Sequence, residues 1–156
     1  MTQATEYRIA TALQQQLANA IVLYLNYKRY HWQTYGPLFR DLHLLFDEHG
    51  KEVLGTIDPM GERLRILGAT PLASPREVDS TATVSQAAEK KTVHDMLQEA
   101  FGNHEQVVQQ LRQAIKAADA EGDPGTSNLF GDIIQMHEKQ AWFLREALQR
   151  GDGLVT

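Results

Sequence analysis

The sequence predicts an all-α protein: a four-helix bundle with a short helix in its long central connection. Three observations predict it. Apolar residues recur in steps of three and four along four long stretches, the period of an amphipathic helix. Chain breakers gather at Gly36-Pro37, at Gly68 to Pro75 and at Gly122 to Gly125, which separate those stretches. No stretch alternates apolar and polar residues as a strand does.

The first helix is expected from about Ala4 to Thr34, with Leu13, Leu17, Ala20, Tyr24, Tyr27 and His31 along one stripe. The second is expected from about Pro37 to Leu67, because proline suits a first helical turn. Its stripe is Leu42, Phe46, His49, Val53, Ile57, Met60 and Leu64. Ser74-Pro75-Arg76-Glu77 reads as a capping box that opens the short helix. The third long helix is expected from about Val84 to Ala120, with Leu97, His104, Val107 and Leu111 inward. The fourth is expected from about Ser127 to Arg150, with Phe130, Ile134, His137, Ala141 and Leu144 inward. The long connection falls between the second and third helices, so those two are expected to run the same way.

With 156 residues the chain suits a single domain, 1–156, with a sizeable core. It has no cysteine, which excludes disulfides, thiolate metal sites and a cysteine nucleophile. The N-terminus shows no basic start followed by an apolar run, and no apolar stretch approaches the roughly 20 residues of a membrane span. A cytoplasmic location is expected. A net charge of −5 suits a protein that attracts cations and argues against nucleic acid.

The second helix carries His43, Asp47, Asp58 and Glu62. At about 100° per residue they fall near 0°, 40°, 60° and 100°, a polar stripe away from the apolar one. The bland reading is a solvated face. Against it, His43 and Asp47 are one turn apart, as are Asp58 and Glu62, so each pair can grip one ion. The two pairs lie roughly 20 Å apart along the helix and cannot close one site within a chain. An antiparallel copy across a two-fold axis would join them, twice over. His31, at the end of the first helix, is a further nitrogen ligand in reach.

His31-Trp32, Gly36-x-x-Phe39-x-x-Leu42-His43-x-x-Phe46-Asp47 and Asp58-x-x-x-Glu62-Arg63 together resemble the Dps family of mini-ferritins, over nearly the whole chain. The resemblance implies a ferritin-like bundle in which His31, His43 and Asp47 of one subunit meet Asp58 and Glu62 of another. It implies a cytoplasmic homo-oligomer, a hollow dodecamer of about twelve subunits, that oxidises Fe(II), preferably with hydrogen peroxide, and stores the ferric mineral. It also implies an aromatic, Trp32, packed beside the iron site and able to supply electrons. Imidazole and carboxylate ligands suit iron and also zinc, which binds more tightly in the usual affinity order.

Other readings are weaker. No Glu-x-x-His occurs, so the intra-bundle di-iron site of other ferritin-like proteins is not expected. His49, His104 and His137 sit in apolar stripes and read as core histidines with hydrogen-bond partners. Asp119, Glu121, Asp123 and Asp132 surround the last break; they read as a solvated turn or as an acidic pore, although Asn128 stands where the family often has an acid. Glu48 and Glu52 are candidates for mineral nucleation or plain solvated glutamates. Only Arg8 is basic before Lys28, and GDGLVT after Arg150 has no basic residue, so DNA binding is not expected; avidity through Arg8, Lys28 or Lys90-Lys91 is the threat to that reading. The rival function is a non-enzymatic zinc-binding or structural bundle.

Overall fold

A computed structural model describes residues 3–89 and 91–150; Lys90 and the stretch 151–156, both weighed above for DNA contact, lie outside the described residues. Helices α1 (Gln3–Gln33), α2 (Phe39–Leu54), α3 (Ile57–Ile66), α4 (Pro75–Thr81), α5 (Val93–Ala120) and α6 (Pro124–Ala147) follow in order, with no strand among the described residues. The four layers of the bundle are α1, the bent rod α2–α3, α5 and α6. Residue pairs across the layers fix their directions. Tyr27 meets His49 while His31 meets His43, so α1 and α2 are antiparallel. Asn19 meets Gln110 while Asn26 and Asn103 share Ser85, so α1 and α5 are antiparallel as well. Hence α2 and α5 run the same way, which requires the long crossing between them.

Leu13, Leu23, Tyr27, Tyr30, Phe46, Met60, Leu64, Leu111, Phe130 and Leu144 are fully buried along the common axis. Burying a side chain of this kind contributes about 1.5–3 kcal/mol. The stripes read from the sequence thus face the core.

The elements end where local chemistry requires. Gly68 and Gly122 take positive φ, 82° and 71°. Behind each, two backbone N–H groups turn back onto the last helical carbonyls: Ala69 on Leu64 and Gly68 on Arg65, then Asp123 on Ala118 and Gly122 on Asp119. That left-handed closure favours glycine. Ser74 accepts from the Glu77 backbone while Glu77 reaches back to the Ser74 backbone, closing the capping box read from the sequence.

Several boundaries differ from expectation, and α2 opens at Phe39 with Pro37 in the turn before its N-cap rather than in its first turn. The second long helix is two helices, with a turn at Gly55-Thr56. Pro59 is the cause: it has no N–H for the Gly55 carbonyl, and its ring crowds that carbonyl. Thr56 Oγ1 donates to the Val53 carbonyl at 2.7 Å and completes the bend. The third long helix starts at Val93, on a Thr92–Asp95 capping box, and not at Val84. The fourth starts at Pro124, capped by Asp123, and ends at Ala147.

Candidate metal centre

His31 ends α1 and His43 lies in α2, and the loop between them folds the two rings face to face, with centroids 3.7 Å apart at 14°. Phe39 stacks on the outer side of His43 at 5.1 Å. The Nδ1 of His31 lies 2.6 Å from the carbonyl of His43, and the Nδ1 of His43 lies 2.7 Å from the carbonyl of His31. A carbonyl only accepts, so each Nδ1 carries the hydrogen. Each Nε2 therefore keeps a free lone pair. A backbone carbonyl behind one ring nitrogen, with the other nitrogen bare, is the arrangement of a metal-binding histidine. Both rings are half-buried.

Asp47 follows His43 by one turn and is gripped by two lysines, Lys51 at 2.7 Å and Lys28 at 3.0 Å. The hydrogen bonds from Lys51 and then Lys28 lower its carboxyl to about 2, so it is a carboxylate at any ordinary pH. Asp58 and Glu62 sit on α3, beyond the bend, and are exposed. They line a groove of about 460 Å³ with Leu17, Ile21 and Gly61. A larger groove of about 1010 Å³ contains Lys28, Leu25 and Trp32, and the two grooves meet at Ile21 and Ala73. The outer face of α1 thus runs from the acidic pair at Leu17 to Trp32, the sequence neighbour of His31. Leu25 is 59% exposed and Trp32 73% exposed on it. The chain brings His31 and His43 together but leaves Asp58 and Glu62 apart from them: among the described residues no three histidines or carboxylates converge to hold a metal.

Residues 10–154 match the ferritin-like domain family. The chain belongs to that family. It is similar to the Dps of Thermosynechococcus elongatus, with a TM-score of 0.96 and 46% identity over 98% of each chain. It is 35% identical to DNA protection during starvation protein 1 of Deinococcus radiodurans, over 88% of this chain and 67% of that one. The Dps of Vibrio cholerae, described as a member of a broad superfamily of ferritin-like diiron-carboxylate proteins, matches at a TM-score of 0.90 and 30% identity, over 96% of this chain and 94% of that one.

Inside this ferritin-like bundle every long layer contributes a polar group at one level. Tyr27 Oη lies 2.5 Å from His104 Nε2 and 3.3 Å from His49 Nδ1. His104 Nδ1 lies 2.7 Å from His137 Nδ1. Gln140 donates to the Glu52 carboxylate at 2.8 Å and to the His49 carbonyl at 3.2 Å. The three histidines are thus core residues with partners, as their stripes imply. Burial lowers His137 to about 3 and His49 to about 4, and pushes His104 well below the usual range, so all three are neutral. Nothing in the spacing announced that they form one chain of rings.

The acidic turn before α6 needs a correction. Asp123 is 3% exposed and cannot line a pore. Its carboxylate accepts from the Thr126 backbone at 3.0 Å, from Thr126 Oγ1 at 2.5 Å and from Arg63 at 2.6 Å. It ties α3 to the start of α6. Asp119, Asn128 and Asp132 are exposed and Glu121 is half-buried. Glu48 is exposed, whereas Glu52 is engaged by Gln140.

Proposed function

We propose that this chain oxidises ferrous iron with hydrogen peroxide at sites shared between two copies, and stores the ferric product in a hollow homo-oligomer. The observation that carries the reading is the reciprocal lock of His31 and His43. It fixes both Nδ1 hydrogens on backbone carbonyls and leaves the Nε2 lone pairs of two half-buried rings free. Asp47 adds an anionic oxygen one turn away. Asp58 and Glu62 supply two more from the far end of the same α1 face. A two-fold axis across that face, with its exposed Leu25 and Trp32, would place the acidic pair of one copy against the histidines of the other. The ligand set suits iron, and zinc competes for it.

The chain's own groups then act in order. The incoming cation displaces Lys28 and Lys51 from Asp47, so the site exchanges two ammonium groups for one metal ion. Two ferrous ions each give one electron to peroxide; its oxygen–oxygen bond breaks, and two protons complete two waters. No hydroxyl radical is released, and the stress-protection name of the Deinococcus relative supports that purpose.

Anaerobic ferrous loading followed by peroxide, read by ferric absorbance, tests the reading. Asp58→Ala and His43→Ala are each expected to slow the oxidation about 100-fold or more with helix content unchanged. Light scattering is expected to give a mass many times 17.6 kDa. Tight zinc binding with no iron oxidation in the wild type would instead make this a non-enzymatic metal-binding bundle.

A further inference from the structure

The buried rings at the centre of the bundle hold more polar chemistry than packing needs. Apolar side chains of the same volume would fill that space without the desolvation of three imidazoles and a phenol. We propose that Tyr27 is a one-electron donor to the oxidising site, and that His104 takes the phenol proton as the electron leaves. The inference rests on the iron reading above, and its test separates the two.

Tyr27 is 1% exposed and its hydroxyl is bonded at 2.5 Å to a ring nitrogen of His104. A phenol that loses an electron must lose its proton, and a buried phenol needs an internal base to receive it. His104 is neutral, so its lone pair is available, and burial, then the charge of Glu52, hold the Tyr27 phenol protonated until it is oxidised. Both nitrogens of His104 lie in one chain. A proton arriving at Nε2 can be matched by the Nδ1 hydrogen moving 2.7 Å onward to His137 Nδ1, because only one of those two facing nitrogens carries a hydrogen.

The position fits the task. Tyr27 precedes His31 by one turn of α1, about 6 Å of rise. Its ring meets Tyr30 edge-on at 6.1 Å, and Tyr30 is the neighbour of His31. Phe46, the neighbour of Asp47, touches both tyrosines at 6.2 and 5.5 Å. Aromatic contact is therefore continuous from Tyr27 to both ligand-bearing turns.

The step balances. A single ferrous ion that meets peroxide gives one electron, leaving ferric iron, hydroxide and a hydroxyl radical at the site. Tyr27 supplies the second electron, and the radical becomes hydroxide. The phenol hydrogen passes to His104, leaving a neutral tyrosyl radical beside an imidazolium. A second ferrous ion later returns the electron and His104 returns the proton, restoring Tyr27.

The test has two arms on the assembled protein. Flash photo-oxidation of the iron-free shell by a ruthenium tris-bipyridine sensitiser, read by electron paramagnetic resonance, is expected to give a long-lived tyrosyl radical. Tyr27→Phe should abolish it, and Tyr30→Phe should not. His104→Gln keeps a hydrogen-bonding amide but removes the base, and should lower the yield about tenfold or more. In the second arm, one ferrous ion per site with peroxide should give the same radical, and Tyr27→Phe should raise spin-trapped hydroxyl radical. An unchanged signal in Tyr27→Phe, or equal yields from His104→Gln and wild type, would overturn the proposal. Ferric absorbance without a Tyr27 radical in the wild type would overturn the proposal and leave the iron reading standing, whereas a flash-induced Tyr27 radical with no ferric absorbance on adding iron and peroxide would overturn the iron reading.

Discussion

Replacing Asp123 with alanine removes the one carboxylate that joins α3 to the start of α6. Three costs can be read from the contacts. The cap on the Thr126 backbone N–H is lost, about 1 kcal/mol. Thr126 is fully buried, so its hydroxyl, left without the carboxylate it donates to, adds about 1–3 kcal/mol. Arg63 loses its ion-pair partner but keeps the hydrogen bond from its Nε to Thr126 Oγ1, and its side chain is 21% exposed, so water replaces much of the pair. The total is about 3 kcal/mol. At fixed protein concentration that lowers the melting temperature by about 6–12 °C. Asp123→Asn keeps an acceptor for the cap and should cost only about 1 kcal/mol.

The pH dependence follows from the same contacts. Burial works to raise the Asp123 carboxyl, but the Thr126 hydrogen bonds and the Arg63 charge outweigh it and hold it below its ordinary 3.8. A depressed carboxyl contributes stability above its ordinary value and loses it as the pH falls through the folded one. The gap between wild type and Asp123→Ala is therefore full at neutral pH and narrows below pH 3.8. Differential scanning calorimetry across that range is the assay. An alanine variant within about 2 °C of wild type at pH 7, or an asparagine variant as unstable as alanine, would refute the reasoning.

Two further outcomes are expected. His137 is buried neutral, so the unfolded chain takes a proton there below its ordinary 6.5 and the folded chain does so only near 3; stability falls across that window, and His137→Gln should flatten the acid side of the melting profile. A Cβ at Gly125 would lie 2.8 Å from the Arg63 guanidinium, so Gly125→Ala should displace Arg63 and destabilise by about 1–3 kcal/mol in denaturant melts.

The helices were legible because their apolar stripes and caps are local. Ser74 and Glu77 state a capping box within four residues, and the structure has it. The bend at Gly55 was legible in principle, since Pro59 removes a helical donor, but the unbroken apolar stripe from Leu42 to Leu64 concealed it. Residues 84–89 were misread for a non-local reason. Asn26 and Asn103 hold the backbone of Ser85 and Ala87, and Asn19 holds that of Thr83, so buried amides pin this stretch in an irregular path. From the sequence those asparagines look like ordinary polar positions on helices. The histidine and carboxylate types at the candidate site were readable from spacing and resemblance. The Nδ1 locks of His31 and His43, the Lys28 half of the clasp on Asp47 and the His104–His137 contact were not, because each depends on a partner from another element.

Mixing two inactive variants tests the shared site most directly. His43→Ala and Asp58→Ala protein, unfolded together and reassembled as mixed oligomers, would pair at random across the two-fold axis. In each mixed pair one site loses both groups and the other regains both, so about one site in four should be whole again. Peroxide-driven ferrous oxidation should return to about a quarter of the wild-type amplitude, whereas either variant reassembled alone stays inactive. Mixed oligomers as inactive as the single variants would place His43 and Asp58 at one site within each chain, or at none.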